Sequence, residues 1–346
     1  MDTLLLYGCY GYTGRLLADE ARARGLRPIL AGRRRDDVET MGRVLDLPTR
    51  VFSLDSPAEV DQGLAGVHVV LHAAGPFLHT SKPMADGCLR NRVHYLDVTG
   101  EIAVFEALAA QDGEAKTAGV TLMPGVGFDV VPSDCLAAYV ASKVPDATEL
   151  TIALAVSGSL SHGTATTMVE NIGEGGAVRR DGRITRVPAA HATREFDFGE
   201  GPRTCVTIPW GDVSTAWHST HVPNIEVYVS APRAARALMK ASRYLAPLLA
   251  SAPAQRLLKS RIGEGGPTPE QRARGKSRLY AEAKGPGGRF AARLIGPEGY
   301  DLTAHAGIRA AEVVLAGKVP TGYQTPSMGL GMDFVLDLPG ITRTDV

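Results

Sequence analysis

A doubly wound parallel α/β sheet, followed by a second domain of α+β type, is the fold class this sequence predicts. Three observations lead there. Short apolar runs alternate with helix-like segments throughout roughly the first 120 residues. The first run ends in Gly8, Gly11 and Gly14, three glycines spaced three apart, and passes straight into a helical pattern. Beyond that region the alternation stops and candidate strands occur in groups, as in folds that segregate sheet from helices. A chain of 346 residues is also long for one core, which makes two domains the default.

Taken in order, residues 3–7 form an apolar run of strand length, and 13–24 read as a helix. Residues 28–32 are a second buried strand and 36–45 a short helix. Residues 50–54 are a third strand; Ser56 then stands as a helix N-cap with Pro57 at the first helical position. Strand four, 67–72, ends at Ala73-Ala74-Gly75-Pro76-Phe77 and precedes a helix over 82–91. Strand five, 93–98, ends at Thr99-Gly100-Glu101 before one longer helix over 102–118, and strand six, 120–123, ends at Pro124-Gly125-Val126-Gly127-Phe128-Asp129. A helix over 131–143 leaves this domain. Further on, 151–156, 205–209, 225–229 and 289–295 are candidate strands, and 165–172, 234–249 and 304–316 candidate helices. Residues 157–163 are a small-residue turn, and the Gly- and Pro-rich stretch 263–274 is the expected mobile loop. The expected division is 1–130, then 131–320 as a substrate and homodimerisation domain, then a tail over 321–346 that returns to the first domain.

In a doubly wound sheet the ligand lies beyond the carboxyl ends of the strands. Gly8 allows a sharp turn off the first strand, Gly11 allows backbone N–H groups near a pyrophosphate, and Gly14 lets the helix approach the sheet. The helix start, with Tyr12 and Thr13, then faces the phosphate. These features make a Rossmann-type dinucleotide site, although the GxxGxxG spacing alone is a weak signal. Arg33 strengthens it. Nineteen residues past Gly14, where an NAD site carries an acid for the ribose 2′-hydroxyl, stand Arg33 and Arg34. A guanidinium there suits a 2′-phosphate, so NADP(H) is the expected cofactor. The other strand ends add Asp55, Ala74, Gly75, Pro76, Thr99 and Gly127 as cofactor-binding candidates.

Composition narrows the function classes. Lysine plus arginine equals aspartate plus glutamate at 37 each, so nothing in the overall charge points to nucleic acid or an anionic membrane. No apolar run approaches the length of a membrane span, and the opening residues, with Asp2, do not resemble a signal peptide. Cys9, Cys88, Cys135 and Cys205 are scattered, with no C-x-x-C pair; no metal site is expected, and a reduced, cytoplasmic setting is.

Several blocks together are similar to the saccharopine dehydrogenase-like oxidoreductases: Gly11-Tyr12-Thr13-Gly14, Ala31-Gly32-Arg33, Ala74-Gly75-Pro76-Phe77, the run from His94 to Glu101, and Pro124 to Asp129 with Pro132-Ser133-Asp134. Pro209 to Ala216, Pro223 to Tyr228 and Gln324 to Ser327 resemble the branch called trans-acting enoyl reductases. The resemblance implies an NADP-binding Rossmann domain carrying a substrate domain. It implies hydride transfer to an activated C=C or C=N bond, with a lipid- or polyketide-like acceptor in the nearer branch.

Hydride transfer is the cofactor's chemistry, so the protein need only orient an acceptor and supply a proton. Asp129 and His162 are the candidate catalytic groups, Asp129 beside the sixth strand end and His162 in a turn before a helix. His72 ends strand four where a nicotinamide ribose would lie. Ser133 and Asp134 are read as helix caps, and Asp97 and Glu101 as holding loop backbone. Tyr139 and Lys143 have the Y-x-x-x-K spacing of short-chain dehydrogenases, which keeps a carbonyl reductase as an alternative. A sensor or scaffold that binds NADP without turnover is another.

Overall fold

The computed structural model describes residues 3–156, 161–170, 175–249, 251–261, 263 and 265–346. The chain divides into two compact units, Met1–Val131 with Tyr300–Phe334, and Pro132–Gly299 with Val335–Val346.

The first unit begins with β1 (Leu4–Tyr7), α1 (Tyr12–Ala23), β2 (Ile29–Gly32), α2 (Arg35–Leu45), β3 (Thr49–Val51), α3 (Pro57–Leu64), β4 (Val69–His72), α4 (Phe77–Asn91), β5 (His94–Asp97), α5 (Ile102–Ala109), α6 (Asp112–Ala118) and β6 (Thr121–Met123). The central strands are apolar throughout because a parallel sheet with helices on both faces buries both sides of every strand. Leu5, Leu6, Val69, Val70, Leu71 and Leu96 are fully buried. The single helix expected over 102–118 is two. Between them Gln111 donates to Asp86, and Asp112 accepts the backbone N–H of Tyr323 at 2.9 Å. The break therefore sets α6 against a returning segment that local sequence does not announce.

The second unit follows with α7 (Val131–Ser142), β7 (Glu149–Val156), α8 (His162–Glu170), β8 (Gly176–Arg180), β9 (Arg183–Val187), β10 (Thr193–Asp197), β11 (Pro202–Thr207), α9 (Asp212–Thr220), β12 (Asn224–Ser230), α10 (Arg233–Leu249), α11 (Ala252–Lys259), α12 (Pro269–Arg274), β13 (Lys276–Gly285) and β14 (Gly288–Pro297). The chain then adds α13 (Gly299–Leu315), β15 (Gly322–Tyr323) and α14 (Pro326–Leu330) to the first unit, and ends in β16 (Thr342–Asp345).

Strand order in the first unit is β15-β6-β5-β4-β1-β2-β3, parallel throughout. From β1 the chain winds outward to β3, then restarts at β4 and winds the other way, so the order reverses between β1 and β4. In the second unit the order is β10-β11-β12-β7-β13-β14-β16, with the β8–β9 hairpin joined through β12. Only β7 and β12 are parallel neighbours there; the remaining pairs are antiparallel. The α/β architecture with a second α+β unit is the one the sequence predicts.

The boundaries need correction. The return to the first unit begins at Tyr300, not at 321, so α13 is not part of a 131–320 domain. Its packing gives the reason. A Cβ on Gly307 would lie 2.9 Å from Leu17, Thr303 accepts the N–H of Phe128 at 2.9 Å, and Arg24 holds Glu312 through two bonds of 2.9 and 2.8 Å. The tail itself divides, since β16 pairs with β14 in the second unit. Part of the loop expected over 263–274 is α12, closed by a capping box in which Thr268 and Gln271 bond each other's backbone N–H. Of the 157–163 turn, 157–160 lie outside the described residues, as do 171–172 of the helix expected over 165–172.

Candidate functional site

The carboxyl edge of the first sheet carries the candidate site. The glycines after β1 divide their duties. Gly8 has φ +87°, and an added Cβ would meet the backbone N of Ala74 at 2.8 Å, so only glycine fits where β1 passes the end of β4. Gly14 is tighter: its Cβ would sit 2.2 Å from the Gly8 carbonyl oxygen and 2.9 Å from Cys9 backbone. Gly11 is the freest of the three, its Cβ meeting the Gly8 oxygen at 3.3 Å with nothing else within 4 Å. Gly11 is also the N-cap of α1, with no side-chain cap bond and no acid in the first turn.

The starts of α3 and α4 on the same edge are, by contrast, capped by side chains, whereas α2 and α5, like α1, have no side-chain cap bond at the N-cap. Ser56 caps α3 by accepting from Glu59 N–H. The Glu101 carboxylate caps α4 by accepting the N–H groups of Phe77 and Leu78 at 2.9 and 2.7 Å. A helix start with no side-chain cap and no acid in its first turn, on a glycine turn, at the strand-order reversal, is suited to an anionic ligand. The residues thus fit a dinucleotide pyrophosphate on geometric grounds.

Beside this turn Tyr10 stands on edge against Gly32, where any Cβ would lie 2.5 Å from its ring. The Arg34 guanidinium stacks over Tyr10 at 4.4 Å and pairs with Asp37 at 2.6 Å. Arg33 is exposed and is committed to no ion pair among the described residues. Of the two arginines, Arg33 is therefore the one available to a 2′-phosphate.

The remaining sequence candidates have varied surroundings. Asp55 is exposed and accepts from Ser53 at 2.7 Å. Ala74, Gly75 and Pro76 join β4 to α4, with Thr80 donating to the Ala74 carbonyl at 2.7 Å. Tyr12 stands edge-on to Tyr300 at 5.0 Å. Thr99 is buried, its N–H bonded to Asp97 and its hydroxyl accepting from Glu101 N–H. Gly127 is walled by Thr303, whose Cγ2 would be 3.0 Å from an added Cβ, so its small size serves the seating of α13.

Asp97 holds this edge together. Its carboxylate accepts from Thr99 N–H at 3.0 Å, Gly125 N–H at 2.9 Å and the Tyr95 hydroxyl at 2.7 Å. Burial pushes its pKa up to about 6 against those bonds. Glu101 and Asp97 thus brace loop backbone.

Asp129 differs. The residue keeps some accessible surface, yet protein atoms crowd its carboxyl, and this burial, aided by the Glu101 charge, raises its pKa to about 6. Gly100 lies against it: a Cβ there would be 2.7 Å from Oδ2. A carboxyl whose pKa lies near 6 keeps a protonated fraction in the weakly acid range where an ordinary carboxylate has none, and at the edge where the strand ends converge that form can donate a proton.

Two histidine expectations change. His72 does not reach the edge; it is fully buried among the rings of Tyr7, Phe77 and Tyr95 at 5.4, 5.4 and 6.2 Å. Neither ring nitrogen has a partner, and burial lowers its pKa to about 3, so it stays neutral. His162 belongs to the second unit, is exposed, and begins α8 rather than lying in a turn; its Nδ1 is 3.2 Å from the Gly263 carbonyl.

Tyr139 and Lys143 also have another occupation. In the second unit the Tyr139 hydroxyl donates to Asp345 at 2.9 Å, and its ring lies 3.5 Å from the Arg343 guanidinium and 5.1 Å from the Lys143 ammonium. Tyr139 fastens β16 to α7. Tyr139→Phe should lower stability by about 1 kcal/mol or less and leave NADPH affinity unchanged, read by thermal melting and calorimetry. A loss of reductase turnover with normal affinity would instead revive the short-chain dehydrogenase reading.

Comparison with known proteins agrees with this geometry. Residues 4–123 match the family model described as "Saccharopine dehydrogenase NADP binding domain". Curated relatives from human and cattle, each called "Saccharopine dehydrogenase-like oxidoreductase", are 26% identical over 161 residues, covering 41% of this chain. The chain spans 38% of the length of those relatives in the matched region. The apo saccharopine dehydrogenase (L-Glu forming) of Saccharomyces cerevisiae superposes over 100% of both chains with a TM-score of 0.68 at 10% identity, which shows a shared fold. Over residues 4–123 the chain is thus similar to the NADP-binding domain of saccharopine dehydrogenases, and its cofactor is NADP(H).

Proposed function

We propose that this chain, whose first unit resembles that NADP-binding domain, is an NADPH-dependent reductase. It delivers hydride to an activated C=C or C=N bond of a small-molecule or lipid- or polyketide-like intermediate. The observation that carries the reading is the uncapped start of α1 on its glycine turn, next to an uncommitted Arg33. NADPH supplies the hydride when bound. The chain's own residues then hold the pyrophosphate at the first turn of α1, hold the 2′-phosphate at Arg33, and give the acceptor a proton from Asp129.

The sign of the pH effect follows from the raised pKa of Asp129, about 6. The donating form is the protonated one, so turnover should fall as pH rises through that value. Asp129→Asn should cost about 100-fold or more in kcat, with NADPH affinity intact and that limb of the profile gone. The test is a panel of enoyl thioesters, cyclic imines and aldehydes, followed by NADPH oxidation from about pH 5 to about pH 8 across wild type and variant. Activity on aldehydes alone, or an Asp129→Asn loss below about threefold, would reject this assignment.

A further inference from the structure

The overall charge balance conceals a segment of one sign. Residues 227–263 contain seven Lys or Arg and no Asp or Glu. Most of this stretch is α10 and α11. Among the described side chains of α10 the half-buried ones are Ala235, Arg236, Met239, Ser242 and Arg243. Arg236 donates to the carbonyls of Ala231 and Thr204 at 3.1 and 3.3 Å, and Arg243 to that of Ala189 at 3.0 Å. Two arginines thus fasten α10 to backbone, while large apolar side chains stay in the open: Leu238 is 70% exposed and Tyr244 81%, with Leu257 on α11 at 58%.

The same segment carries Arg233, Lys240, Arg256 and, just past α11, Arg261, all exposed and none in an ion pair among the described residues. An ordinary surface helix hides its apolar stripe and shows its charges. Exposed apolar side chains on a segment that carries cations and no acid suit a surface that is apolar within and anionic outside. No helix among the described residues is long and apolar enough to cross a membrane. We propose that α10 and α11 form a peripheral docking face for an anionic lipid bilayer, on which Leu238, Tyr244 and Leu257 enter the acyl boundary while the four cations lie among the headgroups. This inference stands apart from the cofactor reading.

The full chain should co-sediment with vesicles of phosphatidylcholine containing about 30% phosphatidylserine, much more strongly than with phosphatidylcholine alone. The difference should shrink as salt rises from about 0.1 to about 0.5 M. The double variant Leu238→Glu, Tyr244→Glu and the charge variant Arg233→Glu, Lys240→Glu should each weaken binding roughly tenfold or more, with circular-dichroism melting unchanged. All four positions are exposed, so the variants fold as the wild type does. Absence of binding to anionic vesicles would overturn the proposal, as would equal binding to neutral ones. So would a wild-type dimer that the first double variant splits, since the face would then belong to a second copy. Retention of duplex DNA without retention of vesicles would equally count against it.

Discussion

Arg33→Ala should weaken NADPH binding about 10- to 100-fold while changing NADH binding less than about twofold, the difference being one charge-assisted contact to the 2′-phosphate. Arg33 is suited to this test because it is exposed and in no ion pair among the described residues, so its removal leaves no internal partner stranded. Arg34→Ala gives the contrast. Its guanidinium is already engaged by Asp37 at 2.6 Å and by the Tyr10 ring, so a smaller loss, spread over both dinucleotides, is expected. Equal losses for NADPH and NADH at Arg33 would mean that it does not read the extra phosphate.

Gly14→Ala should abolish binding of both dinucleotides and destabilise the fold by about 3 kcal/mol. The new Cβ would sit 2.2 Å from the Gly8 carbonyl oxygen, and what it meets is backbone, which cannot swing aside as a side chain can. Either α1 or the β1–α1 turn must move, and the anion site is the junction between them. Gly11→Ala separates the two effects. Its Cβ would meet the Gly8 oxygen at 3.3 Å, so stability should change by less than about 1 kcal/mol while NADPH affinity falls at least tenfold. Thermal melting and calorimetry on both variants read the difference. A stable Gly14→Ala that binds NADPH normally would contradict this division of duties.

The first unit was legible because its physics is local. Buried parallel strands are continuous apolar runs, each followed by a helix, and Gly8, Gly11 and Gly14 mark where helix, turn and strand meet. Much of the second unit was less so. β13 alternates buried Ser277, Leu279, Ala281 and Ala283 with Arg278, Tyr280, Glu282 and Lys284, a period-two pattern made faint by small residues of low strand preference. The β8–β9 hairpin turns at Asp181-Gly182, both with positive φ, a signal present in the sequence that the reading passed over.

Long-range partnerships carried no such mark. Nothing near Gly127 announces Thr303, 175 residues from Phe128, and nothing near α4 announces that its N-terminal N–H groups meet Glu101. For the same reason the burial of His72 had to come from the fold, since a histidine ending a central strand can face either the ligand edge or the core. The raised pKa of Asp129 likewise depends on Glu101 and on crowding by distant chain, while the residue itself could be picked out from its place after the last strand of the alternating series.

The most direct measurement is calorimetric titration of the purified full chain with NADPH and NADH at fixed salt. One-site binding with NADPH at least about tenfold tighter than NADH is the expected result, as an uncapped α1 start and a free Arg33 require. Binding of neither dinucleotide, or equal affinity for the two, would contradict the claim on which the proposed chemistry rests.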